Sequence, residues 1–372
     1  MSRRTNTMLL SALLLVGLPG AAMSQDEATE PEPVWRSATK QGAADVAALG
    51  EGYVLVGGKS KPVQTKVWTS PDGQIWTRVT DPALEGAAIT RVSAHEGGVV
   101  ALGSRGRRLV GWSSPDGQAW QKTTIDRAPK ELTLFPVAVT DGPAGLIAAA
   151  HLIGQDLAGQ GLYLSSDGAS WTEIDPPLEA SDGMIVSLAS DGDEYLAIAS
   201  ATFGQDADLY WRSSDGQTWQ PFEGPAGGAL LDIAIGADGS YAAVGHVGEG
   251  PDYRSAIWRA DQLGQWEQVY TSPSAKQTEE RLDVIAVGAD GFVASGSTSG
   301  CPQQDGRFCP EAAILESADG REWVQLGVAD GVPGPLHDTT VNQVATNGSS
   351  TVMLAWHERR PTETWTQPAT SE

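Results

Sequence analysis

One seven-residue cassette, Ser-x-Asp-Gly-x-x-Trp, recurs along this chain at intervals that restrict the fold to a repeat architecture. Its five intact copies end at Trp76, Trp120, Trp171, Trp219 and Trp323, and a sixth copy keeps only its tryptophan, Trp266. Successive tryptophans of this series lie 44, 51, 48, 47 and 57 residues apart. Repeats of this period are typical of propellers and solenoids, in which each repeat forms one supersecondary unit.

Each repeat carries the pattern of four short β-strands. In the first repeat one apolar stretch begins at Asp45, and three more span residues 52–58, 66–73 and 74–79, with the cassette joining the last two. Glycines and Asp-Gly pairs between the stretches suit tight hairpin turns because they tolerate positive φ. No helical periodicity interrupts this pattern. Four short antiparallel strands in a unit of this size indicate the blade of a β-propeller.

The number of blades follows from the two ends of the repeat region. A fourth-strand pattern at residues 33–39 precedes the first complete repeat, and the last repeat, which begins near Thr340, has no fourth strand after Trp365. The N-terminal strand can therefore pair with the C-terminal blade and close the ring without an exposed sheet edge. The sequence predicts an all-β fold, a single seven-bladed propeller of four-stranded antiparallel blades, over residues 33–367.

The aspartates of the intact cassettes have a predicted structural role. In the turn between the third and fourth strands an aspartate can accept backbone N–H bonds, the glycine supplies the backbone angle, and the tryptophan packs between blades. These aspartates are Asp72, Asp116, Asp167, Asp215 and Asp319.

This cassette resembles the Asp-box, or BNR, repeat of sialidases, sortilin-type receptors and photosystem II assembly-factor propellers. The family form, Ser-x-Asp-x-Gly-x-x-Trp, has one residue more before the aromatic position. The resemblance covers residues 33–367 as architecture, and it implies that the cassettes lie on the face away from any binding site.

Sialidases of that family use three arginines, a Tyr–Glu pair, an acidic aspartate and an Arg-Ile-Pro motif. This chain has no Arg-Ile-Pro, and among the residues that begin its inner strands, Asp45, Arg91, Asp232 and Asp283, only one is arginine. We therefore expect a non-catalytic member of this architecture.

The first 24 residues have the pattern of a signal peptide. Arg3 and Arg4 form a basic start, residues 8–23 are uncharged and largely apolar, and small residues precede a cleavage site after Ser24. Residues 25–32 are expected to form a flexible acidic segment, and residues 368–372 a short tail. The sequence predicts a periplasmic or secreted protein that does not insert into a membrane.

The charge of the chain argues against nucleic acid as a partner. The 372 residues contain 24 Lys and Arg against 47 Asp and Glu, a formal net charge of −23, whereas nucleic-acid binding depends on basic side chains. The charge is uneven, since residues 51–130 hold 11 basic and 7 acidic residues and residues 131–372 hold 9 and 35. Solubility is the simplest explanation of the acidic excess.

The two cysteines, Cys301 and Cys309, lie in one short segment. In an oxidising compartment a disulfide is the expected state, and zinc is the alternative, although no CxxC motif or histidine cluster supports it. No cofactor is predicted, and a monomer is expected.

A candidate binding site lies on the loop face, which carries the connections from second to third strands and from each fourth strand to the next blade. There Arg105, Arg107 and Arg108, with Arg91 below them and Lys59 and Lys61 beside them, are predicted to form a basic rim. Such a rim can dock a carboxylate or an acidic peptide, because arginine forks suit these groups. The alternative is an ordinary solvated sector.

Asp232 and Asp283 suggest a catalytic function as an alternative to binding. They begin the first strands of adjacent blades, and two nearby carboxylates are the minimal machinery of glycoside hydrolysis. The alternative is that they only line a wet channel.

The loop face also carries four histidines on separate blades, His151, His246, His337 and His357, and we predict no metal there. The function that the sequence favours is an exported, non-enzymatic propeller that binds a protein or an anionic or glycan ligand through its loop face. A glycan-acting hydrolase or lyase is the alternative.

Overall fold

The computed structural model describes residues 36–40, 42–60, 63–86, 88–154, 157–178, 182–201, 209–248, 254–273, 280–299, 310–327, 332, 338–357 and 362–368. Within these ranges the regular structure is β-strand, apart from one 3-10 turn at Pro82–Leu84. No helix in these ranges is long and apolar enough to cross a membrane. The predicted signal peptide, acidic segment, Cys301, Cys309 and His337 lie outside the described residues.

Seven four-stranded antiparallel sheets make up the fold, and each is one blade. The first strands of blades 1 to 7 are β2 (Ala43–Leu49), β6 (Ala88–His95), β10 (Thr133–Gly142), β14 (Gly183–Ser190), β18 (Gly228–Ile235), β22 (Glu280–Gly288) and β26 (Thr339–Thr346). The second strands are β3 (Gly52–Ser60), β7 (Gly98–Arg105), β11 (Gly145–Ile153), β15 (Tyr195–Ala201), β19 (Tyr241–Val247), β23 (Gly291–Ser299) and β27 (Ser350–His357).

The outer half of each blade follows in the same order. The third strands are β4 (Val63–Ser70), β8 (Arg108–Ser114), β12 (Leu157–Ser165), β16 (Tyr210–Ser213), β20 (Arg254–Ala260), β24 (Pro310–Ser317) and β28 (Glu363–Pro368). The fourth strands of blades 1 to 6 are β5 (Thr77–Val79), β9 (Gln121–Arg127), β13 (Thr172–Ile174), β17 (Gln220–Pro221), β21 (Glu267–Thr271) and β25 (Val324–Gln325).

The fourth strand of blade 7 comes from the other end of the chain. Strand β1 (Arg36–Lys40) pairs antiparallel with β28, with Arg36 opposite Thr366 and Ser37 opposite Trp365. The predicted closure by an N-terminal strand is therefore confirmed, and so is the count of seven blades. The first strands form the inner ring, in which each strand contacts the next and β26 contacts β2.

The hydrophobic core lies between blades rather than within one. Between blades 1 and 2, for example, Val56 and Val67 pack with Val99, Val110 and Trp112, all of them at most 1% exposed. Equivalent clusters join blades 6 and 7 and, across the closure, blades 7 and 1. Because each blade buries its faces only against its neighbours, the ring must be complete for every blade to be fully packed.

Every inner strand contains a β-bulge near the loop face. Relative to the second strand, one extra residue is inserted at the same level of each blade, namely Ala44, Thr90, Val137, Val186, Leu231, Asp283 and Asn342. Bulges bend a strand and re-aim its side chains. The seven bulges therefore set the directions of the side chains around the axis on the loop face.

Candidate functional site

The five intact cassettes form self-contained turns on the face opposite the loop face. In each of them the aspartate Oδ1 accepts hydrogen bonds from the backbone N–H groups two and three residues later; for Asp167 these are Ala169 at 2.9 Å and Ser170 at 2.7 Å. The indole of Trp171 donates to the carbonyl of Gly168 at 3.1 Å. Backbone hydrogen bonds lower the pKa of Asp167, and similar bonds lower that of Asp215 to about 2. These carboxylates are therefore ionised, and their hydrogen bonds stabilise the turns.

The blade that lost its cassette has a different support. In blade 5, where the cassette serine is replaced by Ala260, Arg259 reaches across to blade 6 and donates from Nε to the carbonyl of Asp319 at 2.7 Å. Its other nitrogens contact Asp261 and Asp238, the latter at 3.4 Å. Arg259 is 7% exposed. The cassette face is thus occupied by contacts that hold the turns and blades together.

On the loop face, blade 2 presents three arginines in one row. Strands β7 and β8 are joined by a two-residue turn whose first residue, Gly106, has φ 60°. Across this turn Arg105 lies opposite Arg108, and Arg108 lies opposite Arg127 on the fourth strand. Residues directly opposite each other in antiparallel strands project on the same side of the sheet, about 5 Å apart. The three exposed side chains therefore form an arginine row.

No carboxylate neutralises the arginine row within the described part of the chain, where Arg105, Arg108 and Arg127 form no ion pair. The adjacent acid, Asp126, is turned to the other side of the blade, where the Tyr163 hydroxyl donates to it at 2.7 Å. Lys122 adds a further positive charge near Arg105. Burial lowers the pKa of Lys122, and the charge of Arg105 adds to this effect. Like charges directly opposite each other in a sheet are destabilising, so the row carries a cost that an anionic partner would remove.

The predicted basic rim is only partly assembled. Arg107 lies in the turn itself, where its carbonyl accepts from the Ala128 N–H at 2.8 Å, and it is not one of the paired residues of the row. Arg91 lies apart, on the inner ring. The side chain of Lys59 and the whole of Lys61 fall outside the described residues. Arg127 was not predicted, because a bulge between β8 and β9 sets the register that places it opposite Arg108.

Arg91 joins blade 2 to blade 3. Its Nε donates to the carbonyl of Val137, the bulge residue of blade 3, at 2.6 Å, and its Nη1 donates to the carbonyl of Thr90 at 2.7 Å. On the preceding blade Asp45 makes an equivalent link, because its Oδ2 accepts from the Val92 N–H at 2.9 Å. Burial raises the pKa of Asp45 to about 6, although the charge of Arg91 opposes the shift.

Asp232 is a link of the same kind. Its Oδ2 accepts from the Ile285 N–H of blade 6 at 3.0 Å, and the Ser187 hydroxyl of blade 4 donates to its Oδ1 at 2.5 Å. Burial raises its pKa to about 6, and the Asp283 charge contributes to the shift. Asp283 itself is paired with Arg281 at 2.6 Å. Both predicted acids therefore lie at the inner ring and influence each other, but each already has a protein partner.

The described histidines serve separate contacts. His151 Nε2 lies 2.8 Å from the carbonyl of Ile185 on the next blade, and His357 Nδ1 lies 2.8 Å from the Thr339 hydroxyl. Burial lowers the pKa of His246, and the Arg281 charge adds to this effect. Among the residues that the structure describes, no three His, Cys, Asp or Glu side chains are grouped as a metal site.

The loop face also exposes apolar side chains that the sequence did not single out. Phe135 is 37% exposed, Ile153 42%, Val186 36% and Trp356 44%. Phe135 and Ile153 project on the same side of blade 3, because Phe135 lies opposite His151 and Thr133 opposite Ile153. Val186 is the bulge residue of blade 4. Three of these four side chains thus gather at blades 3 and 4.

Comparisons with known proteins identify the fold. No protein-family model and no curated protein matches the sequence. Among solved structures, YCF48 bound to D1 peptide has 16% identity and a TM-score of 0.56, covering 91% of this chain and 96% of that one.

Two further solved structures with a similar fold belong to other proteins. The Cps50 (Swd1) propeller domain from Myceliophteria thermophila has 12% identity and a TM-score of 0.55, with 91% and 100% covered. An oligogalacturonate lyase from Vibrio parahaemolyticus has 10% identity and a TM-score of 0.55, with 89% and 91% covered. At these identities the similarity establishes the architecture, and the chain is a seven-bladed β-propeller.

Proposed function

We propose that this protein is an exported, non-enzymatic module that binds an acidic protein segment through its loop face at blade 2. The observation that carries the proposal is the arginine row of Arg105, Arg108 and Arg127, three in-register cations with no ion pair among the described residues. Arginine forks recognise carboxylates with two parallel hydrogen bonds. A short turn on a rigid blade presents these forks without a large ordering cost.

Two further facts support binding. The chain has a net charge of −23, which repels most acidic surfaces. An acidic partner is therefore attracted only where it fits the local arginine row. A protein with the same fold is described as YCF48 bound to D1 peptide, so the scaffold is compatible with peptide recognition.

The glycan-acting hydrolase or lyase has less support. Its predicted acids, Asp232 and Asp283, are each held by protein partners, Ser187 and Ile285 for the first and Arg281 for the second. The same proposal includes a periplasmic or secreted location, with a signal peptide that is cut after Ser24. It also includes a Cys301–Cys309 disulfide and a monomeric state.

The test measures binding of a short fluorescent peptide in which glutamate alternates with serine, against the same peptide with glutamine in place of glutamate. We expect saturable binding of the glutamate peptide only, weakened severalfold between about 50 mM and about 300 mM NaCl because salt screens exposed charges. The variant R105E/R108E/R127E should lose at least about tenfold in affinity, or about 1.4 kcal/mol.

A matched control is the variant R78E/R212E/R254E, which changes the net charge by the same amount on other blades. It should keep affinity within about twofold. Equal losses in both triple variants would mean nonspecific attraction and would contradict the proposal. An oligogalacturonate hexamer serves as the glycan arm: preferential binding of it would replace the peptide as ligand, and its cleavage would establish the enzyme alternative.

A further inference from the structure

Arg91 is a fixed cation that forms no ion pair within the part of the chain that the structure describes. Of the five N–H groups of its guanidinium, two donate to the carbonyls of Val137 and Thr90, at 2.6 and 2.7 Å. Among the described residues Arg91 forms no ion pair, and its Nη2 makes no hydrogen bond. Two carbonyls from adjacent blades therefore fix the plane of the guanidinium and leave one edge of it unoccupied.

The charges around Arg91 leave it incompletely neutralised. Asp45 is close enough for the two charges to interact, but its oxygens accept from the N–H groups of Val46 and Val92, both at 2.9 Å. On the other side, burial lowers the pKa of His151, and the charge of Arg91 adds to this effect, so the imidazole is neutral at pH 7. A partly buried arginine without a paired anion is costly, and an external anion would offset that cost.

Two exposed apolar side chains lie on the two blades that follow Arg91 around the ring. Phe135 lies two residues before Val137, whose carbonyl holds the guanidinium, and it is 37% exposed. Its cross-strand neighbour His151 contacts the carbonyl of Ile185 at 2.8 Å, and the next residue, Val186, is 36% exposed. Phe135 thus lies two residues from the carbonyl that binds Arg91, and Val186 lies one residue from the carbonyl that contacts His151.

The far side of the ring has the opposite charge. Asp232 lies on blade 5, and Asp283 lies on blade 6 with Arg281 as its partner. Of the two acids, only Asp283 has an arginine partner among the described residues. A second anionic group that extends across the axis meets this acidic sector and is repelled.

We propose that the loop-face mouth of the ring, between blades 2 and 4, binds a small organic monocarboxylate. Arg91 receives the carboxylate through its unoccupied edge, and Phe135 and Val186 contact the apolar body, as is usual in sites that combine an apolar wall with one placed charge. The site shares no residue with the arginine row, so it stands or fails independently of the proposed peptide binding.

The experiment is isothermal titration of the full mature protein with 3-phenylpropionate and with hexanoate. Saturable 1:1 binding of either acid supports the proposal. Three comparison compounds each lack or add one feature: 3-phenyl-1-propanol lacks the carboxylate, acetate lacks the apolar body, and phenylsuccinate adds a second carboxylate. Each should bind at least about tenfold more weakly.

Variants locate the site. Phe135→Ser changes an exposed side chain and should weaken binding at least about fivefold while the melting temperature is kept. Arg91→Lys keeps the charge but loses the fork, and should weaken binding at least about tenfold. Ile75→Ser, 69% exposed in a cassette turn on the opposite face, is the control and should leave binding unchanged.

The proposal is overturned if neither acid binds saturably, or if Phe135→Ser retains the affinity of the unmodified protein. If Arg91→Lys fails to fold because it also weakens the link to blade 3, Phe135→Ser and Ile75→Ser decide the question. Equal weakening by these two variants would place binding elsewhere and would also overturn the proposal.

Discussion

Asp45 shows how a single residue can tie adjacent blades together at a cost that depends on pH. Both carboxylate oxygens accept backbone N–H bonds, one from Val46 and one from Val92 of the next blade. The side chain is 5% exposed, and burial raises its pKa from 3.8 to about 6. The folded protein therefore prefers the protonated form more strongly than the unfolded chain does.

The sign of the resulting pH dependence follows from linkage. A pKa that is raised by folding gives a stabilising contribution that is complete below the unfolded pKa and is lost as pH rises through the folded value. Lowering the pH from about 7 to about 5 should therefore increase the contribution of Asp45 by about 1 kcal/mol. We expect this gain in urea unfolding of the native sequence and not in Asp45→Asn.

The comparison uses the slope of the free energy of unfolding against pH, because Asp45→Asn also loses one acceptor and is less stable at every pH. The pKa of Asp232 is raised to about 6 as well. Because Asp232 is present in both proteins, its contribution to the pH dependence cancels in the comparison. Parallel pH profiles of the two proteins would show that Asp45 does not titrate as inferred.

At the scale of single elements, blade 5 shows how a turn persists after its cassette is lost. Arg259 connects this blade to blade 6 by donating to the carbonyl of Asp319 at 2.7 Å and contacts Asp238 and Asp261 as well. Arg321 on blade 6 contacts Asp261 at 3.1 Å, but its side chain is 44% exposed. Arg259 is thus a buried link between blades, whereas Arg321 contacts Asp261 at the surface.

Arg259→Met keeps most of the aliphatic length but removes every hydrogen bond. It removes the hydrogen bond from the largely buried Arg259 side chain to the Asp319 carbonyl. Because hydrogen bonds of charged groups contribute more than neutral ones, we expect a loss of about 1.5–3 kcal/mol in the free energy of unfolding. Arg321→Met, the control, should cost less than about 1 kcal/mol because exposed ion pairs contribute little. Equal losses in urea unfolding of the two variants would mean that Arg259 is not the link described.

The sequence predicted the strands, the blade count and the closure because each depends on local patterns repeated along the chain. It did not predict the arginine row with Arg127, since the register between β8 and β9 includes a bulge that no pattern reveals. It also grouped Arg91 with the loop arginines, whereas the inner-strand bulge directs Arg91 toward Val137 of blade 3. Contacts between blades join residues far apart in sequence, and their geometry is set only when the ring closes.

At the scale of the whole molecule, stability depends on one short strand. Strand β1 (Arg36–Lys40) supplies the outer edge of blade 7, where it pairs with β28 (Glu363–Pro368). Without it blade 7 has three strands, and the backbone of β28 becomes an unpaired edge of the kind that recruits other chains. The hydrophobic clusters on both sides of blade 7 join it to blades 6 and 1, so loosening this blade loosens the ring.

We therefore expect a chain that begins at residue 41 to melt at a lower temperature than one that begins at residue 33, and to self-associate at concentrations where the longer chain does not. Calorimetry and light scattering measure the two effects. A synthetic peptide of residues 33–40 added to the shorter chain should restore both properties, because it can occupy the vacant edge by strand addition, whereas a peptide with the same residues in scrambled order should not. If the shorter chain melts like the longer one, the N-terminal strand does not hold the ring closed, since backbone pairing along β28 is the contribution that it makes in the structure.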